Sequence, residues 1–152
     1  MNKKSNPLNI KFAPTIQAAL AMMLVLGINI LLFFGRKKFS LRADFLENNF
    51  IDFYQHVSNF SISCMIGSMV GFLWLMLGVP FRFVAALCIA IIFINSVYEL
   101  WIPVLNTRDV VDAYYGIVGA ATAFVILAIV KKYGLHPMVI SNADDADGHD
   151  KL

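Results

Sequence analysis

Charged residues are scarce in this sequence. Only 14% of its 152 residues are Asp, Glu, Lys or Arg, whereas 59% are hydrophobic and the mean hydropathy is +0.72. Soluble domains carry about 25% charged residues, so this composition excludes an ordinary soluble domain. The charge imbalance is also small, with 12 basic against 10 acidic residues. Because a strongly basic patch is lacking, we expect no nucleic-acid partner.

Cysteine, histidine and known catalytic motifs are equally sparse. Cys64 and Cys88 are the two cysteines, and they show neither CxxC nor metal-ligand spacing, which argues against a disulfide framework or a zinc site. The sequence contains no HExxH motif, nucleophile elbow or Walker loop. We therefore assign no catalytic residue, metal ligand or cofactor, and we interpret both cysteines as small packing residues.

Long apolar runs are present instead. They cover about residues 13–34, 58–79, 83–102 and 113–130, and each approaches the roughly 20 helical residues that cross a bilayer core of about 30 Å. The strand alternation of a membrane barrel is absent, so helices are expected. The sequence thus predicts an all-α fold, an integral membrane bundle of four transmembrane helices.

The segments outside these runs differ in character. Residues 1–12 are a short N-terminal segment, and residues 133–152 form an acidic tail that we expect to be disordered. Residues 39–55 place apolar side chains at helical spacing among charged ones. This pattern favours an amphipathic helix in the membrane interface between helices 1 and 2. An extramembrane loop whose aromatic residues pack on the bundle is an equal alternative.

Membrane orientation is predicted from the distribution of Lys and Arg, which accumulate in cytoplasmic loops. With the N-terminus inside, the cytoplasmic segments carry seven of the 12 basic residues and the outer segments carry five. We therefore predict that residues 1–12 and 133–152 are cytoplasmic. The cluster from Arg36 to Lys38 argues in the opposite direction.

Four spans place the first and third connections on one face of the membrane, whatever the orientation. Asp52 and His56 near the second helix then share that face with Asn95 and Glu99 near the end of the third. An ionisable group within a span is costly and normally faces the bundle interior with a partner. Arg108 and His56 are the expected partners of Glu99, unless Glu99 is protonated and itself donates a hydrogen bond.

Small residues predict where helices pack. The fourth span contains two overlapping pairs of small residues four apart, and the second span contains one such pair. These residues are Gly116, Gly119, Ala120 and Ala123, together with Gly67 and Gly71. Such pairs let helix backbones approach closely, so we expect the second and fourth helices to touch there. Asn29, a strongly polar residue deep in the first span, is expected to hydrogen-bond across helices.

Two short motifs resemble the VanZ-like family of bacterial membrane proteins. Residues 52–56, Asp-Phe-Tyr-Gln-His, resemble the D-K-x-x-H element at the start of that family's second helix, with Phe53 in place of Lys. Residues 99–108 resemble its E-x-x-Q segment followed by an arginine, with Ile102 in place of Gln. Their order along the chain agrees with that of the family.

A third motif, D-x-x-x-G-x-x-G-x-x-x-A, begins at Asp112 and resembles the family's D-x-x-x-N-x-x-G-x-x-x-G, with Gly116 in place of Asn. The resemblance extends over about residues 12–132 and implies a VanZ-like domain at residues 13–132. It selects five residues as a binding set: Asp52, His56, Glu99, Arg108 and Asp112.

The resemblance implies a multi-pass protein of the bacterial cytoplasmic (inner) membrane and cell envelope. The family's namesake is associated with lowered susceptibility to a glycopeptide antibiotic of the teicoplanin type. We expect non-enzymatic recognition of a lipid, a lipid-linked cell-wall precursor or another membrane protein at the outer face. Arg108 would bind a phosphate and the carboxylates an amine.

The alternative is an intramembrane enzyme that acts on a lipid-linked substrate. His56 would be its general base, with Asp52, Glu99 or Asp112 as orienting or metal-binding groups. A single histidine among carboxylates fits zinc poorly.

Overall fold

The structure, a computed structural model, describes residues 10–38, 42–50, 52–101 and 109–138. Within these ranges the elements are β1 (Phe12–Pro14), α1 (Ile16–Gly35), α2 (Asp44–Asn49), α3 (Phe53–Met76), α4 (Phe81–Trp101), α5 (Val110–Tyr133) and β2 (Leu135–Pro137). The four long helices, α1, α3, α4 and α5, are long and apolar enough to cross a membrane. The predicted all-α transmembrane four-helix bundle is therefore confirmed.

The second and fourth spans begin well before their predicted starts at about residues 58 and 113. α3 begins at Phe53, after Asp52 in a left-handed conformation with φ of 63°, and so includes the polar residue His56 in its first turn. α5 begins at Val110 because the side chain of Asp109 accepts hydrogen bonds from backbone N–H groups of its first turn. Both shifts place polar side chains on helices, which fixes the direction in which they project.

α3 and α5 pack along a seam of small residues. A Cβ atom added at Gly119 would overlap the backbone carbonyl oxygen of Phe60, and one added at Gly67 would lie 3.0 Å from the Cβ of Ala123. The two backbones can approach this closely only because the residues between them are small. The predicted contact between the second and fourth spans is confirmed.

α1 packs on α3 and, among the described residues, has no extensive contact with α4. The amide of Asn29 donates to the sulfur of Cys64 on α3 at 3.6 Å and to the carbonyl of Val25 at 2.9 Å. The predicted cross-helix bond of Asn29 is confirmed. Cys64 and Cys88 are buried free thiols, in agreement with the packing interpretation.

A two-stranded sheet closes one end of the bundle, which the sequence did not predict. β1 pairs antiparallel with β2, and Phe12 lies opposite Pro137. The backbone N–H of Thr15 donates to the carbonyl of Gly134 at 2.8 Å, so the start of α1 is fixed to the end of α5. A cluster of buried apolar side chains lies near this end: Ala18, Met22, Leu75, Val84, Leu127 and Val130.

α2 occupies part of the segment predicted to be amphipathic. Its helix covers Asp44–Asn49, and the flanking residues 39–41 and 51 lie outside the described residues. Phe45 and Phe50 are exposed, as an interfacial helix requires, whereas Tyr54 is buried and its hydroxyl accepts from the backbone N–H of Ala43 at 2.8 Å. The segment therefore has features of both an interfacial amphipathic helix and a loop whose aromatic residues pack on the bundle.

Candidate functional site

Two polar contacts lie at the end of the bundle opposite the two-stranded sheet. The first of them joins α3 to α5. The Nδ1 atom of His56 lies 2.9 Å from Oδ1 of Asp112 and 3.5 Å from Oδ2 of Asp109. Asp109 is held in place because its Oδ1 accepts from two backbone N–H groups of α5. A carboxylate accepts, so Nδ1 carries the proton in the bond to Asp112. The ring of His56 also packs against Tyr115, with centroids 5.7 Å apart.

The second polar contact joins α3 to α4. Glu99 is only 3% exposed, and its Oε1 accepts a hydrogen bond from Nδ2 of Asn59 at 3.0 Å. One turn earlier on α4, the amide of Asn95 donates to the backbone carbonyl of Ala113 at 3.4 Å. Asn95 fits there because Gly116 has no side chain, since a Cβ at that position would overlap the Asn95 amide. Both α4 residues therefore face the bundle, as a costly polar group in a span should.

The five predicted binding residues are not all brought together. His56 and Asp112 are in direct contact, and Glu99 shares a groove with Asp112. Asp52 is exposed, and its carboxylate accepts from the side chain of Gln55 at 2.6 Å, within its own helix end. Arg108 lies outside the described residues, as do the aspartates of the tail.

A groove of about 780 Å³ runs between α1 and α4, with α3 as its floor. Its apolar part is lined by Phe33, Phe34, Ile62, Ile66, Ile91 and Ile94. Ile66 and Ile94 are exposed on the outer surface of the bundle, which in a membrane faces lipid. The gap exists because α1 packs on α3 without covering α4.

The groove is polar at the end that lies near the first and third connections between spans. The lining residues there are Arg36, Lys37, Ser58, Asn59, Asn95, Tyr98, Glu99 and Asp112. Nη1 of Arg36 donates to the hydroxyl of the buried Ser58 at 2.6 Å, which holds the guanidinium against α3. Arg36 and Lys37, which directly follow α1, thus share one groove with the carboxylates of α4 and α5.

Sequence reasoning missed Arg36 and Lys37 as site residues, because it used their charge only to predict orientation. The available signal was their position. They end the first span on the membrane face that also carries Glu99, where a lysine or arginine can meet a buried carboxylate.

The arrangement can support two kinds of chemistry. The groove can hold a molecule that is charged at one end and apolar along the rest. Separately, the ligand atoms of His56, Asp109 and Asp112 lie within 4.8 Å of one another and can converge on a divalent cation. His56 is not among the residues that line the groove. No family model, curated protein sequence or solved structure matches this chain.

Proposed function

We propose that the chain is a VanZ-like protein of the bacterial cytoplasmic membrane that binds an amphiphilic membrane molecule in the groove between α1 and α4. The molecule is a lipid or a lipid-linked precursor of the cell envelope, and binding involves no covalent chemistry. One observation carries this proposal: a single groove combines charges of both signs at one end with an apolar, outward-facing floor.

The dimensions of the groove support an amphiphile. From Ser58 to Ile66 the floor extends along eight residues of α3, about 12 Å at 1.5 Å per residue. An acyl or isoprenoid chain can lie along this length while its headgroup reaches Arg36 and Glu99. The molecule can enter from the side, because the apolar lining is exposed where lipid surrounds the bundle.

Selectivity must come from the polar end. Lipid tails are already in an apolar medium, so a tail gains little from moving onto Ile62 or Ile66. A headgroup that replaces water around Arg36 and Asp112 forms charge-assisted hydrogen bonds, which are roughly twice as strong as neutral ones. The apolar floor therefore orients the bound molecule, and the charged residues determine which molecule binds.

The test is to fill the groove. Ile66→Trp places a large ring on its floor, and Ile89→Trp is a matched control, because Ile89 is exposed on α4 and does not line the groove. We expect a defined amphiphile to co-purify with the wild type and with Ile89→Trp, and to be lost from Ile66→Trp. Equal retention by all three proteins, or capture of a membrane protein in place of the amphiphile, would contradict the proposal.

A second candidate function is favoured by the contact between His56 and Asp112. A carboxylate that orients an imidazole is a common element of acid–base catalysis, and Asp109 adds a third possible metal ligand. Metal analysis of the detergent-purified protein separates the two candidates. Stoichiometric metal that is lost in His56→Ala would favour the metal-assisted enzyme over the binding protein.

A further inference from the structure

The end of the bundle that carries the two-stranded sheet has cations but, within the described residues, no carboxylate. Lys11 precedes β1, Arg82 is in the first turn of α4, and Lys131 and Lys132 are in the last turn of α5. All four side chains are exposed. The described acidic residues belong to the opposite end, at α2, the start of α3, the end of α4 and the start of α5. The described residues at the sheet end therefore carry a net positive charge.

Aromatic side chains indicate that these cations lie at the level of lipid headgroups. The Cζ atom of Arg82 lies 5.1 Å from the centroid of the Phe83 ring, and Nζ of Lys132 lies 4.9 Å from that of Tyr133. Phe83 and Tyr133 are exposed near the ends of α4 and α5. Exposed aromatic residues beside Lys and Arg at the ends of spans are typical of the membrane–water interface. Lipid phosphates lie at the same height.

A pocket lies between the two-stranded sheet and the turn that joins α3 to α4. Its volume is about 260 Å³, that of a sphere about 8 Å across. The lining includes Phe12 of β1, Gly78 of the turn, Phe81 of α4 and Lys131 of α5. Among the described residues that line it, Lys131 is the charged one. The pocket is therefore mainly apolar with a cation at one side.

The ammonium of Lys131 is positioned by the pocket wall. Its Nζ atom lies 4.8 Å from the centroid of the Phe81 ring, which also lines the pocket. The face of a ring attracts a cation without using its N–H donors in conventional hydrogen bonds. Within the described ranges, Lys131 has no carboxylate partner. Its three donors are therefore open to an anion in the pocket.

Lys11 brings a second cation to the edge of the same pocket. Its backbone N–H donates to the carbonyl of Met76, and its carbonyl accepts from the N–H of Met138, both at 2.9 Å. Its side chain lies against Gly78, where an added Cβ would be 2.7 Å from the Cδ of Lys11. Gly78 also has a φ of 76°, which glycine adopts without strain. The turn thus places the side chain of Lys11 beside a residue that lines the pocket.

We infer that this pocket binds the phosphate of an anionic phospholipid from the surrounding leaflet, with Lys131 as the main ligand and Lys11 as the second cation. Basic pockets between spans at a membrane surface are suited to anionic headgroups, and a phosphate accepts charge-assisted hydrogen bonds from an ammonium. A zwitterionic lipid brings a cation of its own, which the two lysines repel. The inference is independent of the groove, because no described residue lines both.

The experiment is lipid competition on the full-length chain in nanodiscs. The discs hold equal mole fractions of phosphatidylglycerol and phosphatidylcholine with matched acyl chains, and retained lipid is identified by native mass spectrometry. We expect phosphatidylglycerol to be enriched about fivefold, the factor that corresponds to about 1 kcal/mol for one lysine near an anionic membrane surface. Raising the salt from about 0.1 M to about 1 M should lower the enrichment, because the Debye length falls from about 10 Å to about 3 Å. Equal retention of the two lipids by the wild type would overturn the inference.

Charge-neutral variants locate the lipid. Lys131→Gln should lose most of the enrichment, and Lys11→Gln should lose part of it. Lys132→Gln is the matched control, because it removes the same charge from the next residue of α5 and Lys132 does not line the pocket. Lys38→Gln removes a charge at the opposite end of the bundle. Both controls should keep the wild-type enrichment, and an equal loss in Lys132→Gln would show attraction by overall charge and overturn the pocket assignment.

The acidic tail is the competing anion. It follows β2 at this end of the bundle, lies outside the described residues, and contains Asp144, Asp145, Asp147 and Asp150. A variant with all four aspartates replaced by asparagine should prefer phosphatidylglycerol as the wild type does. If the preference is absent from the wild type and arises only in this variant, the tail carboxylates are the anion that the lysines bind, and the lipid assignment is overturned.

Discussion

His56 on α3 and Asp112 on α5 are joined by a hydrogen bond of 2.9 Å between Nδ1 and Oδ1. The same two helices pack through small residues further along, where Gly67 meets Ala123. The small-residue contact holds the two helices close together but is not directional. The hydrogen bond between His56 and Asp112 is directional, and it fixes the first turn of α5 relative to the first turn of α3. Because Asp112 also lines the groove, this bond determines where one carboxylate of the groove lies.

The first prediction concerns the strength of this bond. Asp112→Asn keeps the shape of the side chain but removes its charge, and we expect the free energy of unfolding to fall by about 1–2 kcal/mol. The measurement is reversible unfolding in detergent micelles, with His56→Gln and the double variant completing a thermodynamic cycle. If the two single effects simply add, the residues are not coupled in the folded protein.

The second prediction concerns the seam between α3 and α5. In Gly119→Leu the new side chain must displace the backbone of Phe60, so we expect a loss of thermal stability or of folded yield. Ala121→Leu on the same helix is the control, because Ala121 is exposed and a larger side chain there extends into lipid. Equal stability of the two variants would contradict the backbone contact.

These helix contacts were predictable because their signals are local. Glycines four apart indicate a close approach of helices, and a lone Asn29 in an apolar run indicates a cross-helix bond. The pairing of β1 with β2 had no such signal. It joins residues more than a hundred positions apart in three-residue strands that each end in proline, Pro14 and Pro137, and neither strand has room for a pattern of alternation.

The site was predictable only in part. The cost of a charge in a span indicated that Glu99 faces the bundle, and helix topology placed it on the same face as Asp112. The groove itself exists because α1 packs on α3 and leaves a gap beside α4. No sequence motif predicts this arrangement of helices. For that reason Arg36 was considered only as a charged loop residue that bears on membrane orientation, and its hydrogen bond to Ser58 was not predicted.

The third prediction concerns topology. The pairing of β1 with β2 holds the start of α1 and the end of α5 together, so the ends of α1 and α5 lie at opposite ends of the bundle. Reporter fusions after Lys38 and after Lys132 should therefore report opposite sides of the membrane. We predict that the Lys132 side is cytoplasmic. Reporters on the same side would refute the four-span topology, whereas an inverted result would refute only the orientation.

The fourth prediction concerns the start of α1. The hydroxyl of Thr15 accepts from the backbone N–H of Ala18 at 3.1 Å and caps the helix. Thr15→Ala should lower the free energy of unfolding by about 1 kcal/mol, and Thr15→Ser should restore most of it, because serine retains the capping oxygen. Thermal unfolding in detergent measures both. A Thr15→Ser variant as unstable as Thr15→Ala would show that the methyl group is what matters.

The last prediction asks whether Asn59 and Glu99 are paired for stability or for recognition. Asn59→Leu removes the donor to Oε1 and leaves a buried carboxylate with one partner fewer, so we expect a loss of about 1–2 kcal/mol. Replacing both residues by apolar ones of similar volume, Asn59→Leu with Glu99→Met, removes the donor and the charge together. Because the double variant no longer buries a carboxylate, its unfolding free energy should exceed that of Asn59→Leu alone.

Function then separates the two explanations. A pair that only holds α3 and α4 together is dispensable once apolar packing replaces it, so the double variant would still co-purify with the amphiphile of the groove. A pair that recognises the polar end of that molecule is needed however stable the fold is. We expect the second result: a well-folded double variant that no longer retains the amphiphile that co-purifies with the wild type. If the double variant retains the amphiphile at the wild-type level, Glu99 is a structural residue and other residues of the groove recognise the molecule.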